Sequence, residues 1–442
     1  MFNFNPHVVR VITLLFAVIV LQIPVFWIGG LVGERSERRT EAVEEITAKW
    51  GRKQTLTGPA LVVPYLQRTT YKPEKGPAEI VTTVRHLVFL PGELSIQGKV
   101  SSERRSRGIF SVPVYQSDLE LRGSFEAPDV APLGIGAADV LWDRAVVALG
   151  ISDARAIHDE IEFEAGADRV PFMPGIGEYD GGVGSGIHAT VGPRGKSGFT
   201  FRFPLKMNGS EGLFFTPFGR TTKVVLESNW PSPSFQGNWL PQDRTTSEQG
   251  FKATWSIPFL GRNYPQVWTS ESSPAANVLL SAFGVNFVET VTVHRMAERS
   301  VKYASLFLIL TFTAVWLMEV LATARVHPIQ YLMIGAALCL FFLLELSLAE
   351  QLGFVTAYVL ASLGVIAMVG SYARWILGSW GRGLAIGGVV AALYGYLYVL
   401  LENEDFALLV GSLGLFVVLA LVMFLTRRVD WYGKDVEARR AA

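Results

Sequence analysis

The sequence predicts a membrane protein of mixed class: an α-helical bundle of six transmembrane spans combined with a large, β-rich, sandwich-like domain outside the membrane. Three observations predict it. Half of the 442 residues are hydrophobic and 18% are charged, against about a quarter charged in soluble chains. The apolar residues collect into long runs near the two ends of the chain, whereas the middle alternates with a period of two. Lys and Arg occupy only every second connection between the carboxy-terminal runs, as loops retained in the cytoplasm do.

A bilayer core takes roughly 20 apolar residues as a helix. Six segments meet that length: 11–32, 303–322, 330–348, 353–372, 383–401 and 406–425. The first is longer than the apolar part of a signal peptide, and no small-x-small cleavage site follows it. It leads into GERSERRTEAVEEITAKW, where Val43, Ile46 and Trp50 fall on one helical face. An uncleaved anchor continuing as an amphipathic helix is expected. The chain thus divides into an anchor and its helix over 1–54, a β-rich domain over 55–302, and a five-span bundle with a short tail over 303–442.

In the middle segment, Leu119, Leu121 and Phe125 alternate with charged neighbours over 118–126. Phe199, Phe201, Phe203 and Leu205 do so in GFTFRFPLKM, and Phe251, Ala253, Trp255, Ile257 and Phe259 in GFKATWSIPF. Strict alternation gives strands with one dry and one wet face, and many such strands between Gly and Pro turns give an antiparallel sandwich. No linker splits this stretch, and no repeat or low-complexity tail is present. The stretch 175–198, with nine glycines, is the candidate mobile loop.

The loops after the second and fourth spans carry Arg325, and Arg374 with Arg382. The tail after the sixth carries Arg427, Arg428, Lys434, Arg439 and Arg440. AEQLG and ENED, after the third and fifth, carry no Lys or Arg. Both termini are therefore expected inside and the β-rich domain outside. The zero net charge reflects that partition and points to no partner. The single Cys339 lies in the third span, so no intramolecular disulfide forms, which suits an oxidising compartment where disulfides are permitted but not required.

Chemistry-bearing motifs are scarce. The segment IHDEIEFEAGAD offers Asp159, Glu160 and Glu162 as weak oxygen ligands for a divalent cation. Ile161, Phe163 and Ala165 alternate with its glutamates, so a strand with a solvated acidic face is the preferred reading. Ser185 and His188 sit close in YDGGVGSGIHATVG, but Val183 and Ile187 stand where a nucleophile elbow needs glycine. No phosphate loop, dinucleotide fingerprint or zinc motif is present, no cofactor is expected, and no basic stripe suggests nucleic acid. Glu319 and Glu345 lie within spans near the interfaces, where snorkelling or a local ion pair (for Glu319, beside Arg325) is expected rather than an ion pathway. Gly387, Ala391 and Gly395 form a small-residue row that favours close packing within the bundle or between protomers.

The uncharged segment SNWPSPSFQGNWLP carries Trp230, Phe235 and Trp239. Two readings stay open. The rings plug one end of the β core while the prolines set the turns, or they form a stiff apolar platform that binds a protein, glycan or lipid.

Several long segments resemble one family. These are ESNWPSPSFQGNWLP at 227–241, GISDARAI at 150–157, KYASLFLILTF at 302–312, TARVHPIQYLMIG at 323–335 and FLTRRVDWY at 424–432. Together with the arrangement of anchor, β-rich domain and carboxy-terminal spans, they resemble the CreD family of bacterial inner-membrane proteins over nearly the whole chain. The resemblance implies an inner-membrane location and a role in cell-envelope integrity, tied to the CreBC two-component response and to colicin tolerance. It implies no enzymatic activity and carries no mapped site. The expectation is a non-enzymatic protein that maintains the envelope under stress by binding a partner through its periplasmic domain. Its partners are the lipid bilayer and a periplasmic or inner-membrane protein, with self-association left open. A transporter-like bundle or an enzyme acting on an envelope polymer are the alternatives.

Overall fold

The structure, a computed structural model, describes residues 6–71, 78–176, 184–287, 293–321, 326–403 and 406–427. It divides into two compact units, Thr40–Thr290 and a second made of Met1–Arg39 with Val291–Ala442. The division falls within the first helix. In chain order the described α-helices are α1 (Pro6–Trp50), α2 (Ala275–Leu280), α3 (Val293–Lys302), α4 (Ala304–Leu321), α5 (Pro328–Leu352), α6 (Phe354–Leu377), α7 (Trp380–Glu402) and α8 (Ala407–Thr426).

The β unit is built of two sheets. The nine-stranded sheet runs Pro233–Gly237, Phe283–Phe287, Gly212–Phe215, Gln54–Tyr71, Val146–Ile151, Gly186–Thr190 and Met173–Pro174. Glu79–Phe89 also pairs with Gln54–Tyr71 and carries Val267–Thr269 on its far side. The eight-stranded sheet runs Asp243–Ser247, Gly250–Pro258, Thr221–Ser228, Glu93–Arg107, Phe110–Phe125, Phe199–Ser210, Glu162–Ala165 and Asp168–Pro171.

Register converts alternation into a core. Phe203 stands opposite Leu121, Leu121 opposite Ile96, Ile96 opposite Val224, and Val224 opposite Trp255. All five are buried, so one row of side chains crosses five strands on a single dry face. The next row on that face, where Gly98 stands opposite Leu119 and Leu226, packs so closely that Gly98 has no room for a side chain: a β-carbon there would lie 2.5 Å from Leu119 and 2.8 Å from Leu226. The sheets share one apolar cluster. Tyr115 of the eight-stranded sheet meets Phe287 of the other at 5.0 Å between ring centroids, and its hydroxyl donates to the Gly212 carbonyl at 2.8 Å. Trp255 meets Phe283 at 5.8 Å. The sandwich-like expectation matches this arrangement, but the antiparallel one is corrected: Thr221–Ser228 runs parallel to Glu93–Arg107, and the start of Gln54–Tyr71 runs parallel to Gly212–Phe215, so both sheets are mixed.

Two local expectations change. The glycine-rich stretch 175–198 is not all loop: Gly186–Thr190 is a strand between Val146–Ile151 and Met173–Pro174, and 177–183 lie outside the described residues. The aromatic segment, whose prolines were expected to set turns, also contains a strand. Pro233–Gly237 pairs antiparallel with Phe283–Phe287 and forms an edge strand. Pro is tolerated there because an edge strand leaves part of its backbone unpaired.

Six helices, α1 and α4 to α8, are long and apolar enough to cross a membrane. α1, α4, α5, α6 and α7 share a second apolar cluster. α8 buries no residue within the chain, and Tyr396 of α7 donates to its Val410 carbonyl at 2.7 Å. The outward faces of these helices are rich in Ile, Leu, Phe and Val, as a lipid solvent requires.

Candidate functional site

The aromatic segment supplies the first part of the site. Trp230 is buried and edge-on to Phe287 at 6.4 Å. Phe235 is half-buried, edge-on to Phe251 at 5.6 Å and to Trp255 at 5.8 Å. Trp239, also half-buried, meets Phe283 at 6.1 Å, and its carbonyl accepts from the Trp255 indole at 3.2 Å. All three rings are turned against the β core, and Phe235 and Trp239 keep part of their surface exposed. The segment lends the surface both the exposed Leu240 and, at its start, polar groups.

Ser228 and Asn229 line an open groove of about 720 Å³. Asn229 fixes its rim, accepting from the Ser102 N–H at 2.7 Å and donating to the Ser102 carbonyl at 3.1 Å. Thr245, Ser247 and Gln249 line the opposite side, with Phe251 as an apolar patch. Thr245 and Ser247 belong to Asp243–Ser247, which is exposed along its whole length and forms the edge of the eight-stranded sheet. Such an edge offers backbone donors and acceptors to a further strand. Lys252 closes on Glu227 at 2.6 Å and holds that carboxyl below its usual range. The groove therefore presents hydroxyls, amides, one neutralised ion pair and Lys99. It can hold a polar, extended ligand such as a peptide or glycan. It brings no nucleophile together with a base.

The other candidates are occupied structurally. Glu162 and Glu164 both face Arg169, at 3.7 and 3.0 Å, and Asp159 faces Lys206 at 3.4 Å. Glu160 is exposed. Phe163 is buried between the two strand glutamates, so the segment is a strand with an acidic outer face that is already paired with cations. No group of three or more metal-ligating side chains occurs among the described residues. Ser185 donates to the Ile151 carbonyl, and His188 Nδ1 bonds the Gly175 carbonyl at 2.8 Å, so each is directed at backbone. In GISDARAI, Asp153 accepts from Arg155 Nε at 2.8 Å and Nη2 at 2.9 Å. The guanidinium holds the Asp153 carboxyl below its ordinary range. Its backbone N–H meets the buried Gln54 side chain at 3.3 Å, so this segment anchors the start of a central strand.

In the helical unit, Glu319 takes Arg10 at 2.5 Å, the Tyr331 hydroxyl at 2.9 Å and the Val326 N–H at 3.2 Å. Its cation is Arg10, which immediately precedes the first apolar run; Arg325 lies outside the described residues. Glu345 corrects the snorkelling expectation. It is wholly buried, accepts from the Ser300 hydroxyl at 2.7 Å, and its second oxygen has no hydrogen-bond partner among the described residues. Helical period places Glu345 on the inward stripe with Phe341 and Phe342, a signal that distance from the span's end obscured. Cys339 is buried. Of the small-residue row, Gly387 meets Gly370 of α6, whereas Ala391 and Gly395 are exposed. Packing within the bundle thus uses Gly387 alone.

A family model described as "Inner membrane protein CreD" matches residues 6–432. The Inner membrane protein CreD of Escherichia coli (strain K12) is 31% identical over 438 residues, covering 99% of this chain and 96% of that one.

Proposed function

The chain belongs to the CreD family of inner membrane proteins, and from that premise we propose that it maintains the cell envelope under stress without catalysis, by holding a partner in the polar groove of its β unit. The observation that carries this reading is the groove of about 720 Å³ bounded by the exposed edge strand Asp243–Ser247. An extended segment of a periplasmic or inner-membrane protein pairs with that edge, while Ser228, Asn229 and Gln249 select its side chains. The acids of the β unit support the non-catalytic part, since Asp153, Asp159, Glu162, Glu164 and Glu227 each meet a cation and the Ser185 hydroxyl is engaged by backbone.

The distribution of arginines supports a topology with both termini in the cytoplasm and the β unit in the periplasm. Arg374 and Arg382 flank the turn between α6 and α7, while AEQLG, at the turn between α5 and α6, carries no cation.

The test is photocrosslinking in stressed cells with a benzophenone amino acid at Thr245 and, separately, at Gln249. Arg202, exposed on a distant strand of the same sheet, is the control. A discrete heavier band from the two groove positions and none from Arg202 is expected. Equal labelling at all three, or none in cells that make the protein stably, refutes the groove reading.

A further inference from the structure

We propose that α6 and α7 form a specific binding site for an anionic phospholipid, with an acyl chain in the groove between them and the headgroup phosphate on Arg374. This site lies wholly within the helical unit and is independent of the groove in the β unit.

The groove is a product of glycine. Gly383 passes so close to α6 that a β-carbon there would lie 2.6 Å from Arg374 Cβ, and one on Gly387 would lie 3.6 Å from Gly370 Cα. The two backbones approach as only glycine permits. Above that contact the missing side chains leave an apolar groove of about 500 Å³, walled by Ile366, Ala367, Leu384 and Ala391. It runs from Arg374 back to Ile366, about two helical turns or roughly 12 Å. Nothing within the described chain fills it.

The end of the groove selects its occupant. Arg374 sits one turn before the left-handed Gly378 that ends α6. Its guanidinium lies 3.3 Å from the ring centroid of Trp380 and 5.3 Å from that of Trp375, and both indoles are exposed. Tryptophans at a helix end mark the headgroup level of a bilayer. α6 contains no acidic residue, and the one acid of α7, Glu402, lies at its opposite end. Arg374 thus has a planar, charged donor set at headgroup level with no carboxylate of its own helix pair to meet. A phosphate is its geometric complement. A second copy of the chain is disfavoured here, because a twofold pairing through this groove would bring two Arg374 side chains to the same interface.

Glycines without neighbours permit a clean test. A β-carbon on Gly388, in the groove wall, or on Gly395, outside it on the same helix, would meet nothing within 4 Å. Gly388→Leu therefore fills the groove without disturbing the helix pair, and Gly395→Leu is its control. The full chain, purified in detergent, is incubated with phosphatidylglycerol or with phosphatidylethanolamine of identical acyl chains, and retained lipid is counted by native mass spectrometry. The wild type is expected to prefer phosphatidylglycerol by about fivefold, the equivalent of about 1 kcal/mol for one cation at a membrane surface. Arg374→Gln should abolish the preference while keeping lipid bound. Gly388→Leu should lose both lipids, and Gly395→Leu should match the wild type, with all variants eluting like the wild type in gel filtration. The proposal is overturned if Arg374→Gln keeps the preference or Gly388→Leu keeps its lipid. Displacement of phosphatidylglycerol by millimolar inorganic phosphate, or a disulfide-linked dimer formed through Leu384→Cys, overturns it as well, by showing a free-anion site or a protein interface.

Discussion

Replacing Trp230 with alanine separates a core residue from a binding anchor. The ring is 6% exposed and stands edge-on to Phe287, which itself contacts Tyr115 and Phe251 across the sandwich. Core Trp or Phe to Ala substitutions cost about 3–5 kcal/mol. Arg104 lies 5.7 Å from the centre of the indole and leaves that side nearer to water, so the lower end, about 3 kcal/mol, is expected here. For a unit of this size each kcal/mol moves the midpoint about 2–4 °C, so Trp230→Ala should lower melting of the β unit by about 6–12 °C. The assay is thermal unfolding of the full chain in detergent, read by limited proteolysis of the β unit at each temperature. Leu240→Ala, at a neighbouring position that is 65% exposed, should melt within a degree or two of the wild type. If Trp230→Ala melts with the wild type while losing the crosslink at Thr245, the ring is a surface anchor and the packing argument fails.

Other predictions follow from single contacts. Arg10→Gln leaves Glu319 with Tyr331 and Val326 but no cation among the described residues, and should destabilise the helical unit by about 2–3 kcal/mol, measured by unfolding in a denaturing detergent. Ser300→Ala strips the one donor among the described residues from the buried Glu345 carboxyl and should cost about 1–3 kcal/mol in the same assay. Asp153 has a folded-state acidity strengthened by Arg155. Its contribution is therefore complete above the unfolded value near 3.9 and is lost as pH falls through the lower folded value. The wild-type β unit should lose stability below about pH 4, and Asp153→Asn should flatten part of that acid limb while lowering stability at pH 7. An unchanged acid limb in Asp153→Asn refutes the assignment.

The spans and many of the strands were legible because their physics is local. A run of about 20 apolar residues has one low-energy solution in a bilayer, and Phe199, Phe201, Phe203 and Leu205 alternate whatever their neighbours are. The acidic strand was legible for the same reason, since Phe163 between Glu162 and Glu164 already assigns the faces. The groove was not. Ser228 and Asn229 join Thr245 and Gln249 only because Thr221–Ser228 and Asp243–Ser247 both flank Gly250–Pro258, and pairing partners are non-local. The Arg10–Glu319 pair spans |i−j| = 309, so no window of sequence contains it.

By itself, then, the sequence determined how many helices are fit to cross a membrane, that a two-faced β unit lies between the first of them and the rest, and, through its long shared segments, the family. Only the tertiary structure decided that the three aromatics of the uncharged segment turn inward, that Glu345 is buried beside Ser300, and that glycines on α6 and α7 leave a groove ending at Arg374. Periodicity reports which face of an element is apolar. What that face meets depends on register and on contacts between residues far apart in the chain, and those exist only once the elements have packed.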